Sequence, residues 1–170
     1  LATRPSADVI VPLSVSDPGE AALSTSSLAF TSSSWATPQT VTVTGLDDDV
    51  ADGDRPYSVV LGAIASADPS YAGLDPPDVA LSNDDDDTPG IELSAPTGTR
   101  TTEAGGAVTF TIVLRSRPTA NVTIPLGVSN PNEATVAPTQ VTFTPADWSA
   151  PQTVTVTGKD DSVDDGDVPF

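Results

Sequence analysis

Aspartate is the one abundant side chain in this sequence with chemistry to offer, and it is bunched. Three segments, Asp47 to Asp54, Asp84 to Asp87 and Asp160 to Asp167, hold more than half of the 24 acids. Four adjacent carboxylates at Asp84, Asp85, Asp86 and Asp87 repel one another, and a backbone fixed by flanking strands cannot spread them far apart. A bound divalent cation relieves that repulsion. The donors on offer are oxygens: carboxylates on turns that also present carbonyls. That set suits calcium, which takes about 6 to 8 oxygens at about 2.3–2.6 Å, better than magnesium, which keeps its waters and prefers one or two carboxylates.

Composition removes most other chemistry. Cysteine, histidine and methionine are absent, which excludes disulfides, thiolate nucleophiles, imidazole bases and the usual zinc or copper ligands. Absence of cysteine does not assign a compartment, because long extracellular proteins often dispense with disulfides. The net charge of -18, from 24 acids against 6 bases, repels nucleic-acid phosphates and anionic membrane surfaces and favours a cation as partner. Paired carboxylates hydrolyse glycosides only when two of them face one cleft with separated pKa values. Acids in loops at strand ends, without a serine-centred motif, lead us to expect no enzyme. No apolar run approaches the ~18 residues of a membrane span, and no signal peptide is apparent.

The elements that position these acids repeat. Self-comparison gives one dominant offset of 113 residues, pairing Leu1 to Tyr57 with Leu114 to Phe170 without a gap. About half of the paired positions are identical, among them Arg4 with Arg117, Pro12 with Pro125, Glu20 with Glu133, Phe30 with Phe143 and Trp35 with Trp148. The run "PQTVTVTG" is unchanged between Pro38–Gly45 and Pro151–Gly158. We therefore expect a first repeat over 1–87 lacking its N-terminal strands and a second over 88–170 lacking its C-terminal strands, as in a segment of a longer tandem array.

Helical periodicity is missing throughout, and proline and glycine recur too often for helices to persist. Strands are expected at Val9 to Val15, Leu28 to Thr31, Thr40 to Thr44, Tyr57 to Ile64 and Val79 to Ser82. In the second copy they are expected at Gly90 to Ser94, Val108 to Leu114, Val122 to Val128, Val141 to Thr144 and Thr153 to Thr157. In Thr40 to Thr44 the alternation has period two, with valines to a core and threonines to solvent. One period supplies about seven such strands, which predicts an all-β fold: tandem Greek-key β-sandwiches of immunoglobulin-like type, joined end to end. Trp35 and Trp148 are expected to cover the core.

Charge runs are usually solvated caps. Three features favour a metal instead. The runs directly follow strands, the Asp-Gly-Asp element recurs at Asp52 to Asp54 and Asp165 to Asp167, and the exposed strand faces carry threonine and serine in place of acids. The loops are not EF-hands, because a frame ending at Asp52-Gly53 puts Val50 at the third position of the pattern, where a ligand is needed, and the second copy fails likewise at Val163.

Taken together, "TEAGGAVTFTIVLR" (Thr102 to Arg115), "VTFTPADWSAPQTVTVTGKDD" (Val141 to Asp161), "DGDRPYSVVL" (Asp52 to Leu61) and "VALSNDDDD" (Val79 to Asp87) resemble the Calx-β family. That family occurs in sodium/calcium exchangers and in tandem arrays of bacterial surface proteins. The resemblance implies calcium at one end of each sandwich, with ligands at Glu103 before the second strand and at Asp47 and Asp48, or Asp160 and Asp161, after the fifth. It adds Asp52 and Asp54, with Asp165 and Asp167 in the second copy, and the terminal run Asp84, Asp85 and Asp86. The family's acid after the third strand has no clear counterpart; Glu20 and Glu133 lie nearby. The function implied is a calcium-binding structural repeat of an extracellular, cell-surface fibre, filament or adhesin stalk. Its partners would be neighbouring repeats of the same protein, with head-to-tail self-assembly as one form. The alternative is a calcium-dependent adhesion module for a glycan or other surface, with Tyr71 and Trp148 as candidate stacking aromatics.

Overall fold

The structure, a computed structural model, describes residues 1–160, 166 and 169. Among them there is no helix, and so none long and apolar enough to cross a membrane. Thirteen strands follow in order: β1 (Val9–Val15), β2 (Ala21–Leu23), β3 (Ser27–Phe30), β4 (Val43–Gly45), β5 (Arg55–Leu61), β6 (Ala65–Ser66), β7 (Val79–Asn83), β8 (Ile91–Leu93), β9 (Ala107–Leu114), β10 (Val122–Pro125), β11 (Ala134–Ala137), β12 (Gln140–Phe143) and β13 (Gln152–Gly158). All pairings are antiparallel.

The chain divides into two compact units, Leu1–Asp48 with Asp52–Asp85, and Asp49–Ala51 with Asp86–Phe170. In the first, one sheet has the order β3-β1-β5-β7 with β6 also on β1, and β2 pairs β4 separately. In the second, the larger sheet is β11-β13-β9-β8, and β10 pairs β12. Period-two alternation builds each core. Val9, Val11 and Leu13 of β1 are buried with Val59, Ile64 and Tyr71 in the first unit. Ile112, Leu114, Val141, Phe143 and Val154 form the core of the second, with Trp148 packed on it.

The registers repeat at the sequence offset. Val9 faces Phe30 as Val122 faces Phe143, and Ala21 faces Gly45 as Ala134 faces Gly158. Gln39 Nε2 donates to the carbonyl of Ala29 at 2.7 Å, and Gln152 Nε2 to that of Thr142 at 2.7 Å.

Strand lengths do not repeat. Identical residues form a strand over Gln152–Gly158 but only over Val43–Gly45 in the first copy. β13 is paired on both edges, by β11 and β9, whereas among the described residues β4 is paired by β2 alone. The converse holds for β1, which runs through Val15 between β3 and β5, while β10 stops at Pro125 and, among the described residues, has β12 as its one partner. Ladder bonds hold residues extended, so the expected strands at Thr40 to Thr44 and Val122 to Val128 are cut where a second partner is missing. Three short strands, β2, β6 and β11, were not expected. They are alanine-rich, and only pairing makes them strands.

Phe143 is 0% exposed, whereas its counterpart Phe30 is half-buried beside the first core. Phe143→Ala is expected to cost the second unit about 3–5 kcal/mol, and Phe30→Ala a smaller amount in the first. Urea unfolding of both variants measures the difference.

Candidate metal centre

The acids of the first unit are carried to one end by strand pairing. β2 on β4 sets Glu20 beside Leu46, whose N–H donates to the Glu20 carbonyl at 2.9 Å. The chain then leaves the strand, and Asp47 and Asp48 follow, both exposed. β5 on β7 places Arg55 opposite Asn83, which brings the second half of the acidic loop against the run after β7. There the Gly53 N–H donates to Asp85 Oδ2 at 2.6 Å, and the Asp85 N–H donates to Asp54 Oδ1 at 3.1 Å. Gly53 has φ 78°, a conformation that glycine adopts without penalty. Asp52 and Asp84 are exposed beside these bonds.

Two residues that the sequence did not single out tie this end together. Asn83 Nδ2 donates to Glu20 Oε2 at 3.2 Å and to the Leu46 carbonyl at 2.6 Å. Arg55 Nε lies 3.8 Å from Glu20 Oε1 and 3.4 Å from Asp52 Oδ2. Glu20 carried a signal, since Glu133 repeats it; Asn83 and Arg55 carried none. The position matching Arg55 in the second copy is Val168.

The second unit begins its acidic loop by the same device. The Lys159 N–H donates to the Glu133 carbonyl at 2.8 Å, and the Gly158 N–H to the Gly106 carbonyl at 3.1 Å. Glu103 is exposed in the turn closed by bonds from the Gly105 and Gly106 N–H groups to the Thr102 carbonyl at 3.0 and 3.2 Å. Glu103, Glu133 and the exposed Asp160 thus sit on segments that meet at one end of the sheet. Asp86 is exposed and counted with this unit. Asp161, Asp165 and Asp167 lie outside the described residues.

Chemically, both ends offer carboxylates and backbone carbonyls, the donor types calcium takes. Among the described residues, no group of three or more acids is gathered closely enough to hold a metal ion. In the first unit Glu20, Asp52, Asp54 and Asp85 are partnered by Arg55, Asn83 and backbone N–H groups.

The aromatic expectations divide. Trp148 packs on the core as expected. Tyr71 is buried, and its hydroxyl donates to the Thr3 carbonyl at 2.6 Å, which leaves no exposed ring face to stack a sugar.

Two carboxyls elsewhere are held ionised by the fold. Asp68 is buried and accepts the N–H groups of Ser6 at 2.7 Å and Ser70 at 2.9 Å. These bonds, Ser6 first, lower its pKa from the ordinary 3.8. Asp147 accepts the Thr144 N–H at 2.5 Å, and that bond likewise lowers its pKa.

In comparisons with known proteins, the chain matches no family model, no curated protein and no solved structure.

Asn83→Ala is expected to destabilise the first unit by about 1–2 kcal/mol, because the buried side of Glu20 and the Leu46 carbonyl both lose a donor; urea unfolding in metal-free buffer reads this. The Asp68 contribution has a definite sign. With the folded pKa below 3.8, it is present above that value and lost as pH falls through the folded one. Asp68→Asn should therefore flatten the acid limb of a plot of melting temperature against pH.

Proposed function

We propose that the chain is a calcium-binding structural repeat segment of an extracellular fibre, surface filament or adhesin stalk. Its repeats are immunoglobulin-like, Greek-key β-sandwiches of the kind the Calx-β resemblance implies. One observation carries the reading. In both units the backbone N–H that opens the acidic loop, Leu46 or Lys159, donates to the carbonyl of the matching glutamate, Glu20 or Glu133. The repeat therefore preserves the point at which each acidic loop leaves its sheet, beside the matching glutamate.

Calcium supplies charge neutralisation when bound. The residues to hold it in the first repeat are Asp47, Asp48, Asp52, Asp54, Asp84, Asp85 and Asp86. Those of the second are Glu103 and Asp160, with Asp161, Asp165 and Asp167. The bonds from Gly53 to Asp85 and from Asp85 to Asp54 hold two acidic runs against each other, where a cation would relieve their repulsion. Binding to the folded state alone stabilises it by about 2.7 kcal/mol at a hundredfold excess over Kd. Loops ordered in this way stiffen the junction between neighbouring repeats, the property a stalk needs.

The melting temperature should rise in excess calcium over chelator, and rise less with magnesium. The combined variant Asp47→Asn, Asp48→Asn, Asp54→Asn should lose most of that gain and bind fewer ions by isothermal titration calorimetry. A melting temperature identical in calcium and chelator contradicts the proposal.

A further inference from the structure

The open edge of β4 carries a specific complement, and the chain itself shows what that complement is. In the second unit the residues Gln152–Gly158 are covered on one edge by β9, with Val154 opposite Phe110, Thr155 opposite Thr109 and Val156 opposite Val108. The first unit carries the same residues as Gln39–Gly45, and among the described residues no strand pairs their equivalent edge.

The free backbone groups on that edge can be identified. The Thr42 N–H donates to Ser24 Oγ at 2.9 Å, and its carbonyl accepts from the Ser24 N–H at 2.9 Å, so Thr42 faces β2. Backbone groups alternate in direction along an antiparallel strand, which turns the N–H and C=O of Val41 and Val43 to the open side. β9 is matched to them. Its Thr109 and Thr111 N–H groups go to Thr97 Oγ1 and Ser94 Oγ at 2.9 Å each, leaving Val108 and Phe110 to bond across to β13. The β4 edge also lacks the charge, internal proline or bulge that ordinarily blocks strand addition: between Gln39 and Gly45 there are only threonine, valine and the two end residues.

We infer that the open edge of β4 is a docking site for a β8–β9 hairpin, the type formed by residues 90–115, from a further repeat of the same protein, paired with Val41 opposite Phe110, Thr42 opposite Thr109 and Val43 opposite Val108. The added strand extends β4 back to Gln39 and covers Val41 and Val43, half-buried against the first core, as β9 covers Val154, which is 0% exposed. The source of the hairpin rests on the repeat reading proposed above. The pairing is independent of calcium, so a chain that ignores calcium but takes the hairpin refutes only the metal proposal.

Because the chain has no cysteine, the register is testable by a single designed disulfide. Thr42 and Thr109 form a non-hydrogen-bonded pair in the proposed register, with Cα atoms about 4.5 Å apart, inside the disulfide range of about 4.4–6.8 Å. The full chain carrying Thr42→Cys is oxidised with a synthetic 90–115 peptide carrying Thr109→Cys. A one-to-one adduct is expected, in at least about tenfold excess over the peptide carrying Thr111→Cys. The unmodified peptide should raise the melting temperature of the unmodified chain, and N-methylation at Phe110 should weaken that binding about fivefold to tenfold. Equal adduct yields, an unshifted melting temperature, or a disulfide homodimer of the Thr42→Cys chain in place of the peptide adduct overturns the inference. The homodimer would show that the edge pairs with itself.

Discussion

Backbone hydrogen bonding between neighbouring antiparallel strands is the interaction on which the rest of this structure depends. Each such bond contributes only about 0.5–1.5 kcal/mol net, but an unpaired edge leaves a residue free to depart from extended geometry. "QTVTVTG" makes the point with propensity held constant: seven residues of strand where two neighbours are present, three where one is. β1 and β10 repeat the comparison in reverse, with Leu13 buried at 7% exposure beside β5 and its counterpart Leu126 only half-buried. Core quality follows from edge pairing, because a strand that is held on both sides keeps its apolar face aimed inward.

The same pairing controls electrostatics. Strands end together, so the loops that follow them gather at one end, and this sequence writes its acids into those loops. In the first unit the cost of crowding is met by groups the fold supplies: a guanidinium, an amide nitrogen and two backbone N–H groups. These contacts are partly exposed, and exposed ion pairs contribute about 0–1 kcal/mol each. They arrange the carboxylates more than they neutralise them. A chain of net charge -18 keeps much of its self-repulsion after folding, and a cation has that repulsion to relieve.

The all-β class and most strand positions were legible because valine, threonine and isoleucine alternate cleanly and no helical period competes. β1 matches its expected bounds of Val9 and Val15 since both its neighbours are present in the chain. Strand ends at β4 and β10 were not legible, because identical or similar residues behave differently with different neighbours, and neighbours are a tertiary property. β2 and β11 escaped notice because Ala21 and Ala134 give no branched or aromatic signal, although they are 2% and 0% exposed. At the candidate site the acids announced themselves by charge. Asn83 did not, because one amide after a strand is unremarkable until Leu46 and Glu20 are seen within its reach.

The two acidic loops keep their charge while moving its counter-ion. Each has five aspartates and one base, but the base closes the first loop at Arg55 and opens the second at Lys159, where the matching residues are Val168 and Leu46. Position decides what the base does. Arg55 lies on β5, opposite Asn83, and the strand aims its guanidinium between Glu20 and Asp52. Lys159 follows β13, and its Nζ donates instead to the Pro131 carbonyl at 3.0 Å, across the turn that presents Glu133. A planar fork between two carboxylates and a point charge on a carbonyl are different local fields. Among the described residues, only in the first loop does the base meet carboxylates, with Arg55 set between Glu20 and Asp52 by the pairing of β5 with β7.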